Sequence, residues 1–307
     1  MRKIKIAIVG MGKIARDQHV PALAANAEFE LIAVTSPNGK LAGVANFTSI
    51  AAMLDALPEI DAVSLCTTPQ VRYDIARYAL EHGKHVMLEK PPGVTVSEVH
   101  ALAHLAHQQQ LALFTTWHSR EAAAVEPARQ WLKQRTIRNV KITWKEDVRV
   151  WHPGQTWVWQ AGGLGVFDPG INALSIVTRI LPQPLVLTNA ELSIPSNCAT
   201  PIAAKLVMTM NGVNVDAEFD FRQIGPQSWD IEIDTDMGVL LIAKGGATMR
   251  IGNDSLLEAS DKEYPNLYAR FATLVNERRA DVDVTPLQLV ADAFLCGRHL
   301  TVEPFIE

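Results

Sequence analysis

Glu89-Lys90-Pro91-Pro92 sets a carboxylate, an ammonium and two prolines directly after the short apolar run His85–Leu88. A lysine at the end of a strand is costly unless used, and prolines after it stiffen its placement. The competing reading is a surface lysine in a loop. In Asp168-Pro169-Gly170-Ile171-Asn172, Asp168 and Asn172 lie four residues apart and so share one helix face. Asp168 reads either as an N-cap with Pro169 at N1, or as a carboxylate working beside Lys90. An amine and a carboxylate together can take a proton from a hydroxyl and pass it on. Between them, 144–172 holds Trp144, Trp151, Trp157 and Trp159 with Glu146 and His152. Tryptophan offers a flat apolar face and an N–H donor, which suits a pyranose ring, although each one also reads as core. The even positions of Val140–Val148 are Val, Ile, Trp, Glu and Val, so Glu146 shares an apolar face. A carboxylate there needs a partner: sugar hydroxyls, or a salt bridge to a cation such as Arg149.

The elements that would position these groups begin at the first residues. Ile4–Val9 is a near-continuous apolar run, and Gly10-Met11-Gly12-Lys13-Ile14-Ala15 follows it. A buried strand, a glycine turn and a helix start, in that order, form a pyrophosphate cradle. Gly10 permits the tight turn, Gly12 lets the backbone approach phosphate, and Ala15 lets helix and strand pack closely. Around Lys13 and Ile14 the helix start presents free N–H groups to an anion. A plain strand–helix turn is the bland alternative. Strand-like runs Phe29–Val34, Ile60–Cys66, His85–Leu88 and Leu111–Thr115 alternate with helical spacing over Ile50–Leu57, Val71–His82 and Ser97–Gln108. That alternation predicts a doubly wound parallel sheet, ending near residue 118.

Ligands in such sheets lie beyond the carboxyl ends of the strands. Thr35-Ser36-Pro37-Asn38-Gly39-Lys40 carries no carboxylate where an NAD-specific domain places one for the ribose. Ser36 and Asn38 would meet a 2′-phosphate without repulsion, so NADP is expected to be accepted and favoured, with NAD also usable. The same residues also read as a simple turn. Thr67, Thr68 and Pro69 at the fourth strand end would line the dinucleotide, or start the next helix. Glu89, Lys90 and Trp117 complete the cofactor lining, and His118 joins the substrate side.

From Ile137 the pattern changes to consecutive strands: 140–148, 185–194, 203–210, 213–221, 229–234, 238–243 and 247–251. Asn211-Gly212 is a hairpin signal, and the whole predicts an open, mostly antiparallel sheet in a domain over 119–307. Helices are expected over 267–278 and from Pro286 to Arg298, the last packing back on the first domain. An exposed face of the sheet would serve a homodimer.

Gly10-x-Gly12-x-x-Ala15 together with Glu89-Lys90-Pro91 resembles the glucose–fructose oxidoreductase and inositol dehydrogenase (Gfo/Idh/MocA) family, along the whole chain. The resemblance implies a Rossmann domain joined to a domain on an open, largely antiparallel sheet, an α/β plus α+β architecture. It implies that Lys90 lies beside the nicotinamide and the substrate hydroxyl. The family commonly has histidine, serving as acid/base, where this chain has Asn172; that moves the role to Lys90 or Asp168. Aldose 1-dehydrogenases of the family carry such a Lys–Asp–Asn set. The resemblance therefore implies NAD(P)-dependent oxidation of an aldopyranose, such as L-arabinose or D-galactose, at C1. Lys90 and Asp168 would be catalytic, with Asn172, His118, Glu146, Trp151 and His152 binding substrate. The alternatives are oxidation of another polyol or keto compound, or a non-catalytic sugar sensor.

Composition sets outer bounds. The chain has 307 residues, 48% hydrophobic and 20% charged, with a formal net charge of −5 and no basic block. That describes a soluble globular protein of about two domains with no nucleic-acid partner. No apolar run reaches the ~20 residues of a membrane span, and three scattered cysteines fit a reducing, cytoplasmic setting. His100, His104 and His107 fall on one helical face but have no acid or cysteine nearby, so no metal site is expected.

Overall fold

The computed structural model describes residues 2–306. The chain divides into two compact units, Met1–His118 with Glu263–Val284, and Ser119–Lys262 with Thr285–Glu307.

In the first unit, β1 (Ile4–Val9), β2 (Phe29–Thr35), β3 (Ala45–Phe47), β4 (Ala62–Leu65), β5 (His85–Leu88) and β6 (Leu113–Thr115) form one sheet. The order is β3-β2-β1-β4-β5-β6 and every pairing is parallel. β1 shows why both faces must be covered. Ile4, Ile6 and Ile8 point into one apolar cluster, and Ala7 and Val9 into another. The second cluster is closed by α2 (Ile50–Ala56), α3 (Pro69–Glu81) and α4 (Val96–Gln108). The first takes Ala22 and Leu23 of α1 (Val20–Ala24) and a helix far along the chain, Glu263–Glu277.

That late helix is the main departure from the expected domain boundaries. Tyr264, Leu267, Tyr268, Phe271 and Val275 form a helical stripe buried against the first sheet. The stretch 263–284 thus belongs with the first unit, whereas the chain's last helix lies in the second. Residues after the stripe also cover the free edge of β6: Thr115 N donates to the Asp281 carbonyl at 3.1 Å, and Trp117 Nε1 to that of Asp283 at 3.0 Å.

Among the described residues of the second unit, nine strands form a sheet in the order β14-β13-β12-β11-β7-β10-β9-β8-β15. They are β7 (Ile137–Lys145), β8 (Val186–Pro195), β9 (Ala203–Met210), β10 (Val213–Asp220), β11 (Ser228–Thr235), β12 (Gly238–Ala243), β13 (Thr248–Ile251), β14 (Asp254–Glu258) and β15 (Arg298–Val302). The sheet is mixed and mostly antiparallel, with β7–β10 and β8–β15 running parallel. Asn211 and Gly212 have φ of 48° and 87°, and they turn β9 into β10 as their types require. Helices α5 (Val125–Leu132), α6 (Val148–Trp151) and α7 (Phe167–Ile180) precede the Glu263–Glu277 helix, which is α8, and α9 (Thr285–Cys296) follows. Short edge strands β3, β14 and β15 were not expected, and the chain closes on β15 rather than on a helix. Among the described residues no helix is long and apolar enough to cross a membrane.

Candidate active site

The glycine turn of the first unit is built as a cradle. Gly10 has φ of +97°, and a Cβ there would lie 2.8 Å from the backbone of Cys66 and Thr67. A side chain is therefore excluded where the turn passes the end of β4. A Cβ on Gly12 meets nothing within 4 Å, so the backbone there is open on the side a pyrophosphate would take. Ala15–His19 is a π-helical turn that runs into α1, with Ala15 fully buried. At the end of β2, Ser36 Oγ accepts from Gly39 N at 3.0 Å, closing the turn. Arg16, unnoticed in the sequence, donates to the Lys40 carbonyl at 3.2 Å and brings a guanidinium to the same loop. These features fit a dinucleotide whose ribose carries no carboxylate partner from β2. Thr68 is the N-cap residue of α3 without a side-chain bond, and Pro69 stands at N1, so the helix-start reading of that stretch holds.

The backbone around Lys90 is clamped from two sides. Arg72 is 2% exposed, and its guanidinium donates to the carbonyls of Glu89 (2.6 Å), Pro91 and Thr67. The fork thus ties the end of β4 to the turn after β5. On the other side, Glu89 Oε2 accepts from Lys90 N at 2.9 Å. Glu89 Oε1 receives Tyr264 Oη at 2.8 Å and faces His19 Nε2 at 3.0 Å. His19 Nδ1 in turn meets Tyr268 Oη at 2.7 Å and Ser64 Oγ at 3.2 Å. Burial works against charge on Glu89, yet the hydrogen bond and field of His19 hold its pKa down at about 2. Burial likewise opposes charge on His19, but Cys66, Tyr268 and the bond to Glu89 raise its pKa well above the ordinary value. The pair is a buried imidazolium–carboxylate. The peptide Lys90–Pro91 is cis, and Lys90 itself is half-buried.

His118 follows β6 and its Nδ1 is hydrogen-bonded to Glu263 Oε2, with its ring stacked on Tyr264 at 5.6 Å. Burial lowers its pKa, and the Glu263 carboxylate more than offsets that and raises it. Trp117 is 3% exposed. His19, Arg72, Glu263, Tyr264 and Tyr268 were not picked out in the sequence. For the two tyrosines the signal was present, as the 264/268/271 helical spacing; the expected helix over 267–278 held Tyr268 but began one turn too late to include Tyr264.

In the second unit, β7 keeps the predicted alternation, but the strand ends at Lys145 and Asp147 caps α6 by accepting from Arg149 N at 3.0 Å. Glu146 nevertheless stays on the buried face, at 2% exposure. Its partner is not Arg149, which lies over the Phe305 ring. Instead Glu146 Oε1 meets His152 Nε2 at 3.0 Å, and Oε2 accepts from Trp229 Nε1 at 2.8 Å. His152 Nδ1 faces Asp168 Oδ2 at 3.6 Å. The capping reading of Asp168 fails: Val166 is the N-cap, so Asp168 is the second residue of α7, 4% exposed at the positive end of the helix. Asn172 is half-buried one turn on. Of the four clustered tryptophans, Trp144 is buried, while Trp151 is 40% exposed and rests on Trp229, ring centroids 4.7 Å apart. Trp159 packs on Phe221 and Phe305. The second unit thus gathers Glu146, His152, Asp168 and Trp151; Trp229 is the member that sequence reasoning missed, since it lies on a distant strand. Among the described residues no group of three His, Cys, Asp or Glu is arranged to hold a metal ion, and His100, His104 and His107 are exposed along α4.

Residues 4–116 match the oxidoreductase family with an NAD-binding Rossmann fold. Over its full length the chain is 45% identical to galactose 1-dehydrogenase of Pseudomonas fluorescens, covering 100% of both proteins. The crystal structure of a D-galactose-1-dehydrogenase protein from Rhizobium etli superposes with a TM-score of 0.95 at 55% identity, covering 100% of this chain and 99% of that one. A 3-ketoreductase from Actinomadura kijaniata, 18% identical, shares the fold with a TM-score of 0.87 over 98% of this chain and 100% of its own. The chain is a member of the Gfo/Idh/MocA oxidoreductase family.

Proposed function

We propose that this protein is an NAD(P)-dependent aldose 1-dehydrogenase that converts D-galactose and L-arabinose to their lactones. The observation that carries this reading is the match, end to end, to galactose 1-dehydrogenase. L-arabinose is included because the two sugars share ring stereochemistry and differ only at the exocyclic carbon. Nicotinamide, when bound, accepts the hydride from C1. Gly10, Gly12, Lys13 and Ile14 hold the pyrophosphate, and Thr67, Thr68 and Pro69 line the dinucleotide. Ser36 and Asn38, with the nearby Arg16 guanidinium, favour NADP over NAD.

Lys90 hydrogen-bonds the anomeric hydroxyl and takes its proton, and Asp168 is the second catalytic group of the reading. The reading requires both groups to meet the same sugar. Asn172 and His118 hold ring hydroxyls, and Trp151 offers its flat face to the pyranose. Positioning is the chain's main contribution, which the Arg72 and Glu89 clamps around Lys90 support. The enzyme works as a cytoplasmic protein, and pairs of chains associate through the open face of the second sheet. The test is absorbance at 340 nm with NADP or NAD against D-galactose, L-arabinose and myo-inositol. Reduction of cofactor with the two aldoses and none with the polyol is expected; the reverse order refutes the reading.

A further inference from the structure

Within the second unit, the stretch 148–159 bears Trp151 on the single turn of α6 and Trp159 at the end of a short 3-10 turn, Thr156–Trp159. Its two ends are anchored. Val148 N donates to the Phe221 carbonyl at 3.1 Å, and the Trp159 carbonyl accepts from Ala199 N at 2.9 Å. Between these points the chain has no core of its own: no residue from 149 to 157 is buried, and Val150 is 68% exposed. A lone helical turn gains few hydrogen bonds for the entropy it loses, so such a segment needs support from outside itself.

That support comes from the chain after β15. Parallel pairing with β8 runs to Val302, whose carbonyl accepts from Ser196 N at 3.1 Å. Asn197 then grips the backbone of Phe305 twice: Phe305 N donates to its Oδ1 at 2.9 Å, and its Nδ2 donates to the Phe305 carbonyl at 2.8 Å. So held, the Phe305 ring lies against Trp159 with centroids 4.8 Å apart, and the Arg149 guanidinium sits 5.0 Å over it. Arg149 Nη2 also donates to the Ile306 carbonyl at 2.9 Å, while the Ile306 side chain is 76% exposed. Trp159 in turn rests edge-on against the fully buried Phe221, at 5.7 Å. One half-buried ring thus touches the weakly packed stretch near both ends, at Arg149 and at Trp159.

We propose that 303–306 is a strap that sets the sugar-facing wall of the second unit, with Phe305 as the positioning residue and Asn197 as the catch that holds it. The proposal rests on the aldose 1-dehydrogenase reading above, in which Trp151 offers its face to the pyranose. A ring that bridges Arg149 and Trp159 fixes the span between them, and Trp151 with it, before sugar arrives. The entropy of ordering the wall is then lost on folding and not on binding. Phe305 acts through the wall and touches neither sugar nor cofactor. The wall holds the sugar alike before and during hydride transfer, so the strap governs affinity for sugar and leaves the chemical step alone.

The test is steady-state cofactor reduction in wild type, F305A, F305Y, N197A and I306A, with D-galactose varied at saturating NADP and then the reverse. F305A removes the bridge: KM for D-galactose rises about tenfold, with kcat and KM for NADP within about twofold of wild type. N197A leaves the ring but frees its backbone, and raises the same KM about threefold. F305Y keeps a ring that stacks, and I306A keeps the carbonyl that Arg149 bonds, so both stay within about twofold of wild type. A damaged fold weakens both substrates and kcat together, so a shift confined to sugar KM and rescued by tyrosine does not come from damage. An unchanged KM for D-galactose in F305A overturns the proposal, as does a loss in kcat or NADP affinity equal to the loss in sugar affinity. Should F305A fail to fold, N197A against I306A decides it, and equal KM values in those two overturn the strap. A wild-type chain that reduces no cofactor with D-galactose or L-arabinose overturns the functional reading and the strap with it; turnover with unmoved KM overturns the strap alone.

Discussion

Replacing Glu89 by glutamine keeps the shape of the side chain and removes its charge, so it isolates the buried pair with His19. The Glu89 carboxyl is lowered from 4.5 to about 2 in the folded chain. At 1.36 kcal/mol per pH unit that corresponds to ~3 kcal/mol of stability at neutral pH, and the group is buried, so solvent does not screen it away. A lowered carboxyl stabilises above its unfolded value and loses that contribution as pH falls through its folded value. Roughly 1.5 kcal/mol should be gone by pH 3.5. His19 is raised, so its contribution is present below its unfolded value near 6.5 and is lost as pH rises through the folded one. The two are halves of one interaction and are not added. The difference in unfolding free energy between wild type and E89Q, from urea titrations at successive pH, should therefore peak between about pH 4.5 and 6.5 and decline on both sides. A difference that stays flat from pH 3.5 to 9 refutes the charged pair and the physical reasoning behind the Lys90 clamp.

Lys90→Met should lower kcat at least about a thousandfold while the cofactor still binds, read by nicotinamide fluorescence; near-normal turnover removes the proton-transfer role. Ser36→Asp should lower kcat/KM for NADP at least about tenfold and leave NAD less affected, because the new carboxylate repels a 2′-phosphate; an unchanged ratio removes that loop from cofactor choice. Phe271→Ala should cost about 3–5 kcal/mol of the first unit's stability by urea unfolding, since the ring is fully buried against Phe29 and Phe114; a loss under about 1 kcal/mol means α8 is not part of that core.

The first sheet was legible because local rules dominate it. Ile4–Val9 and its glycine turn read directly as strand and cradle, and the alternation of strands with helices predicted a parallel sheet, though not its strand order. The hairpin at Asn211-Gly212 and the buried phase of Glu146 were legible for the same reason, one from turn chemistry and one from the two-residue period. What escaped is long-range. The partners of Glu89 come from residue 19 and from residue 264, and no local pattern ties them together. Trp229 reaches Glu146 across β7–β11 pairing, a register that spacing alone does not give. Asp168 stayed open to a capping reading because Asp-Pro is a frequent helix start, whereas the N-cap is Val166, two residues earlier. The placement of α8 in the first unit likewise follows from which sheet face lacked cover, a property of the folded chain.

Oxidation at C1 needs a free anomeric hydroxyl, and oxidation at any other carbon does not. Methyl β-D-galactopyranoside keeps every ring hydroxyl of galactose except that one, so cofactor reduction at 340 nm with the glycoside beside the free sugar tests the account most directly. The account predicts NADP reduction with D-galactose, lactone as the product, and no reduction with the methyl glycoside. Comparable rates with both sugars would contradict it.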